Sequence, residues 1–323
     1  TRGAEDPEAS TNVSTPFKKS RSGAYGPSDD ELSGHLGLPR RPLSSPLSLL
    51  LGAAQLRPRL PQGTTVNDFT LPLEEVTPDR ARAIFDEFGV LVVRDLAAAY
   101  RLMAMDGMDD GISTHISARV APGRFLLNAF GLRFEEITAD SLVTVDEHGQ
   151  VLDDPTGLGI NPAGFTIHSA VHMAREEAGA VLHLHAADGV AVSAHPDGLL
   201  PLSQTAMLCI PHICFHEYEG VALNLDERER LVADLGDHDI MLLRNHGTLT
   251  VGKNVGEAFT YMYFLMKACQ IQVRTLAMGP GHTPSQQALD TTAQQAQSLG
   301  AGHKLAWPAL IRKLERMGSD YAT

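Results

Sequence analysis

Three histidines are placed to do chemistry. In Val181-Leu182-His183-Leu184-His185, two imidazoles stand two residues apart in an apolar, strand-like run. Side chains alternate faces along a strand, so both rings point the same way, about 6.5 Å apart along the chain. Neutral imidazoles at that spacing can reach one ion, and they suit Zn, Mn, Fe or Co. The plainer reading of the pair is two buried structural histidines. A second run, Ile240-Met241-Leu242-Leu243-Arg244, leads into Asn245-His246-Gly247. His246 therefore sits at a strand end before a glycine turn, where chains commonly present functional side chains. By itself that could be only a turn. Joined to the H-x-H strand it supplies a third ligand, and three protein ligands with open positions describe a catalytic site rather than a structural one.

Helices and strands must hold these rings in place. Residues 78–92 carry a helical pattern (Ala81, Ile84, Phe85, Phe88), the run Val90–Val93 reads as a strand, and 96–108 as a second helix. Strand-like runs follow at Ser113–Val120, Arg124–Asn128 and Leu142–Asp146, the last closing through Glu147-His148-Gly149-Gln150 into Val151-Leu152 as a hairpin. Residues 163–178 form an amphipathic helix and Ala180–His185 a buried strand. Leu225–Leu235 reads as a helix, Asp239–Arg244 and Thr248–Val251 as strands, and Val255–Leu276 as a long helix. Gln286–Gly300 reads as a linker or frayed helix, and Leu305–Met317 as a final amphipathic helix. Interleaved strands and helices with hairpins imply an α/β fold with a mixed sheet flanked by helices.

Composition bounds the rest. With 323 residues, 43% of them hydrophobic, the chain can bury one large core or two small ones. Residues 1–35 hold only Val13, Phe17 and Leu32 among the Val, Ile, Leu, Met and Phe set, too little to offset ordering entropy, and read as a disordered tail. Residues 36–67, with the short apolar run Leu47–Ala54 between prolines, read as a strand or docking arm, so that 1–67 together form a disordered or extended N-terminal tail. Lys and Arg number 26 against 39 Asp and Glu, a net charge of −13 that argues against a nucleic-acid binder. Three cysteines without a C-x-x-C pair make no disulfide framework and point to a reducing, cytoplasmic setting. No apolar stretch is long enough for a transmembrane helix, so no membrane partner is expected.

The motifs VLHLHAADG, LRNHGTLTVG and NPAGFTIHSAVH together resemble the class II aldolase/adducin family over roughly residues 90–280. The resemblance implies a class II aldolase-like three-layer α/β/α domain, placed at 68–280, around a mixed, mostly antiparallel sheet. Residues 281–323 follow as a C-terminal linker and amphipathic helix. It also implies a homotetramer with sites at subunit interfaces and a divalent metal, Zn ahead of Mn, Fe or Co, on His183, His185 and His246. GINPAGFTIHSAVH, FHEYEG, LLRNHG and ACQIQVRTLA are similar to the adducin head.

The chain departs from the sugar-phosphate aldolases at the substrate end. Their Ser-Ser-Glu, which holds phosphate and supplies the acid/base, is matched here by Pro162-Ala163-Gly164. Thr114-His115 replaces an Asn-bearing phosphate turn, and Phe130-Gly131 a Thr-Gly turn. Without those donors a phosphate dianion loses its charge-assisted bonds. A small hydroxy- or keto-carboxylate is the better substrate for a decarboxylase-like carbon–carbon lyase, since loss of CO₂ needs no base. His168 and Tyr218 are the catalytic candidates. Tyr218 lies where the aldolases place a tyrosine from a neighbouring subunit. Arg244, Lys253 and His115 are the substrate-binding candidates, the first two because they flank the His246 turn. A non-catalytic, adducin-like protein with a cytoskeletal partner is the alternative.

Overall fold

The computed structural model describes residues 78–221, 225–296 and 302–323. The expectation for residues 1–67 lies outside them.

Eight strands form one sheet: β1 (His115–Ala121), β2 (Arg124–Asn128), β3 (Leu142–Asp146), β4 (Val151–Asp153), β5 (Ala180–Leu184), β6 (Ile213–His216), β7 (Ile240–Leu243) and β8 (Gly247–Gly252). Their spatial order is β4-β3-β2-β1-β5-β8-β7-β6. Every neighbouring pair is antiparallel except β6 with β7, so the sheet is mixed and mostly antiparallel.

The described helices are α1 (Pro78–Met105), α2 (Pro162–Ala174), α3 (Ala187–Ala194), α4 (Gln204–Cys209), α5 (Glu227–Leu235), α6 (Val255–Met278), α7 (Gln286–Ala296) and α8 (His303–Arg316). Strand alternation divides the core. Ile116, Ala118, Leu182, Leu184, Ile240 and Leu242 pack on one side with α1, α3, α6 and α8. Val181, Met241, Leu243, Leu249 and Val251 face α2 and α5 on the other. The result is a three-layer α/β/α arrangement around a mixed sheet.

Two sequence readings change, one open alternative is settled, and three short elements are added. Val90–Val93 is not a strand but the middle of α1, which runs unbroken from Pro78 to Met105. Val90 and Leu91 are exposed while Val92 and Val93 pack against the main core, so the run is one more turn of the helix that continues into the buried Leu96–Met103. Helix α2 ends at Ala174 rather than 178. The Arg119 guanidinium gathers the carbonyls of His172, Arg175 and Ala178 there, closing the helix end. The stretch read as a linker or frayed helix is helical over Gln286–Ala296. Finally, β6, α3 and α4 are elements too short to stand out as periodic runs.

The C-terminal helix joins the main core. Trp307 is buried on Phe259 with ring centroids 5.2 Å apart, and it fills the space where Gly256 has no side chain. Leu314 and Tyr321 belong to the same cluster. Cys209, Cys214 and Cys269 are buried free thiols, and no helix among the described residues is long and apolar enough to cross a membrane.

Candidate metal centre

β5 and the β7–β8 turn bring the three histidines together. His183 and His185 emerge from one face at the end of β5, and β8 runs antiparallel beside it. The turn that carries His246 needs an unusual backbone: Asn245 adopts φ 57°, a left-handed conformation that Asn tolerates. Gly247 follows as a bare residue, because a Cβ there would lie 2.5 Å from the Leu184 carbonyl oxygen. The strands therefore close until His185 Nε2 stands 2.9 Å from His183 Nε2 and 3.0 Å from His246 Nε2. All three ligand atoms lie within 4.8 Å of one another.

The surrounding hydrogen bonds decide what this cluster can hold. His183 Nδ1–H donates to the Thr248 carbonyl at 3.0 Å, which leaves Nε2 as a lone pair. His185 Nδ1–H faces the Asp110 carboxylate at 3.3 Å, with the same consequence. Two lone pairs then meet at 2.9 Å with no proton between them, an arrangement that a cation makes favourable. Burial holds the His183 pKa well below the ordinary imidazole value, reinforced by His246 and His185. Burial lowers His185 too, opposed by Asp110. Burial, followed by the neighbouring His185 and His216, pushes His246 down to about 4. Neutral imidazoles are the form that binds metal. The donor set fits a divalent ion.

His115 joins from β1. It is the register partner of His183, and the two rings stack with centroids 5.4 Å apart. Its imidazole fills the space beside Gly164, where a Cβ would lie 2.6 Å from the ring. His168, on α2, reaches His115 Nδ1 with its Nε2 at 3.4 Å and Ser117 Oγ with its Nδ1 at 2.6 Å. It is buried one layer behind the metal ligands, not in the opening. Tyr218 is exposed, and its ring centroid is 6.4 Å from that of His246 in the same chain.

The two cations separate. Arg244 remains near His246, but its guanidinium donates to the His195 carbonyl at 2.8 Å and to the Ser193 and Pro196 carbonyls, and it lies over Phe215 at 4.1 Å. It anchors the turn. Lys253 does not flank the site at all. β8 is extended between Gly247 and Gly252, so Lys253 stands about 20 Å from His246, at the strand's far end. There it lines a pocket with Arg175, Glu177, Asp239 and Glu257.

Sequence reasoning missed Asp110 and the Thr248 carbonyl, which orient two ligands from positions distant in the chain. It also missed the clamp on His216, held between Asp234 at 2.7 Å and Glu227 at 3.5 Å at the end of β6. The β6 backbone is tied to β7 by Arg244 N–H to the His216 carbonyl at 2.8 Å, and this strand feeds Tyr218. An acidic partner beside a buried histidine would have been the signal, but no spacing rule connects residues 18 apart.

The helix-flanked mixed sheet and its cluster of three imidazoles define a class II aldolase-type protein. Residues 94–273 match the family described as the Class II Aldolase and Adducin N-terminal domain, and the chain belongs to that family. It is similar to an aldolase II superfamily protein from Pseudomonas syringae, with TM-score 0.70 and 49% identity over 77% of this chain and 98% of that one. An L-fuculose 1-phosphate aldolase from Glaciozyma antarctica PI12 superposes with TM-score 0.65 at 27% identity, covering 72% of this chain and 92% of its own. Alpha-adducin of Rattus norvegicus is 38% identical over 253 residues, which span 72% of this chain but only 34% of alpha-adducin.

Proposed function

We propose that the protein is a divalent-metal-dependent carbon–carbon lyase acting on a small unphosphorylated hydroxy- or keto-carboxylate. The observation that carries this reading is the pair of facing Nε2 lone pairs on His183 and His185, with His246 Nε2 beside them. A divalent cation bound there, Zn ahead of Mn, Fe or Co, would stabilise the negative charge that develops on a chelated oxygen when a carbon–carbon bond breaks. His115 Nε2 lies against the bare Gly164, at the position where the sugar-phosphate aldolases carry a glutamate. Burial, reinforced by His185 and His246, pushes its pKa down to about 3, so it would serve there as a hydrogen-bond acceptor for a substrate hydroxyl. Tyr218, exposed beside His246, is the donor from the solvent side, and His168 orients His115 from behind.

Phosphate recognition is poorly provided for. Helix α2 begins with Pro162, which has no N–H, and the Ala163 N–H is already spent on the Asn161 side chain at 3.0 Å. Lys253 is too distant to bind the substrate, and Arg244 has several donors committed to carbonyls. These features favour a ligand held mainly by the metal. A cytoplasmic homotetramer is the assembly we infer for it.

The test is elemental analysis after reconstitution with Zn, Mn and Fe(II), followed by a screen for CO₂ release over hydroxy and keto acids. We expect one ion per chain and release from at least one acid. His183→Ala with His185→Ala should abolish the ion and leave the circular dichroism of the fold. The similarity to alpha-adducin favours a second reading, a non-catalytic scaffold with a cytoskeletal partner. Absence of any bound ion would replace the first reading with the second.

A further inference from the structure

Behind the metal ligands a line of polar groups crosses the layer between the sheet and α2. It starts at the Ala178 carbonyl, 3.0 Å from His172 Nδ1. His172 Nε2 is 2.8 Å from Ser117 Oγ, and Ser117 Oγ is 2.6 Å from His168 Nδ1. His168 Nε2 is 3.4 Å from His115 Nδ1, and His115 Nε2 is 3.4 Å from Asn161 Nδ2. His115, Ser117, His168 and His172 are all buried, three per cent exposed or less.

Each ring has one proton to place, and the two ends dictate where it goes. A carbonyl oxygen only accepts, so His172 carries its proton on Nδ1 and presents a lone pair at Nε2. Ser117 has one O–H, which must serve that lone pair. Its oxygen then accepts from His168 Nδ1–H, leaving His168 Nε2 as an acceptor. His115 supplies the proton from Nδ1 and is left with a lone pair at Nε2. The far end agrees, through a 3.4 Å contact too long to hold the ring by itself. Asn161 Oδ1 accepts from the Ala163 N–H, which fixes the amide, so it is the NH₂ that faces His115 Nε2. An NH₂ group only donates. Burial keeps the His172 and His168 rings neutral, with His172 lowered to about 3 and His168 well below its ordinary value.

We infer that Ser117 and His172 are positioning residues that, through His168, lock His115 in its Nδ1–H tautomer and so keep a hydrogen-bond-accepting lone pair at Nε2, beside Gly164 and the Asn161 amide. The inference deepens the proposed function, on which the meaning of that acceptor rests. It explains why four linked buried polar residues fill a layer where apolar ones would pack more simply: reversing any one link would leave two donors or two lone pairs facing each other in the core. The amide of Asn161 makes a long contact to Nε2, and a substrate hydroxyl donating to the same lone pair would replace it.

Nitrogen-15 spectra of the histidine-labelled full chain, loaded with Zn, test this directly. Rings are assigned through single replacements at His115, His168 and His172. All three should be protonated on Nδ1 and bare on Nε2, and an Nε2–H tautomer at any of them overturns the proposal. Ser117→Ala should leave His172 on Nδ1 and change His168 from one tautomer to a mixture. Ser117→Thr should restore the single form. A His168 tautomer unmoved by Ser117→Ala overturns the relay. If Ser117→Ala fails to fold, the wild-type spectrum still decides the proton order. Failure to take up metal or to release CO₂ counts against the lyase reading alone, because the tautomers are read without reference to activity.

Discussion

Gly164 shows how one missing side chain shapes this site. A Cβ at that position would stand 2.6–2.7 Å from Cδ2, Cγ and Nε2 of His115, well inside contact distance. Gly164→Ala should therefore displace the ring and destabilise the fold by about 1–3 kcal/mol, measurable by urea unfolding. Gly164→Glu should for the same reason fail to create sugar-phosphate cleavage, since the carboxylate would compete with His115 for its space while Pro162 and Ala163 still provide no phosphate donors. Efficient turnover of a sugar phosphate by that variant would contradict this. Protonation adds a second prediction. His172 ordinarily titrates near 6.5 and burial lowers it to about 3 in the fold. The unfolded chain gains the proton first, so this contribution to stability is complete above pH 6.5 and is lost as the pH falls from 6.5 towards 3, at up to about 1.4 kcal/mol per pH unit. The other buried histidines lowered in the fold add to it, so unfolding free energies measured across pH 4–7 should fall at least that steeply, and His172→Gln should reduce the slope by up to one proton.

Among the elements, α8 tests how far the domain extends. Its Trp307 seats over Gly256 and against Phe259, and Leu314 is buried on the same face. Trp307→Ala should cost about 3–5 kcal/mol, the range for emptying a buried aromatic site. Removing residues 302–323 should cost at least as much. Unchanged thermal stability on truncation would make the segment an appendage after all. The sequence signal here was clear for the helix and silent about its docking, because an amphipathic stripe reports that a face is covered and not what covers it.

For the molecule as a whole, the metal ligands come from β5 and the β7–β8 turn, neighbours in the middle of an eight-stranded sheet shared by both core layers. Ion binding should consequently stabilise the entire domain rather than one loop. At a hundred times the dissociation constant the gain is about 2.7 kcal/mol. Calorimetry with and without a chelator should show one transition that moves as a unit, and a shift confined to a minor early transition would disagree. Light scattering should return a multiple of the 34.8 kDa chain mass, four chains by the family resemblance. A monomer would refute the assembly.

What the sequence determined by itself was local. Alternation along Val181–His185 placed both imidazoles on one face, and the apolar run into Asn245-His246-Gly247 put the third at a strand end, because strand geometry follows from covalent chemistry within a few residues. The strands at Arg124–Asn128 and Leu142–Asp146 were legible for the same reason. Tertiary structure decided the rest. His115 faces His183 only through the antiparallel register of β1 on β5, which joins residues 68 apart. Asp110 and the Thr248 carbonyl set the ligand tautomers from outside any motif. Lys253, seven residues from His246, was carried to the opposite end of β8 by an extended strand. Val90–Val93 became helix as a continuation of the buried segment Leu96–Met103, with Val92 and Val93 against the core and Val90 and Leu91 outward. Pairing and burial are properties of the assembled sheet, and they override local preference wherever a segment's partner is distant in the chain.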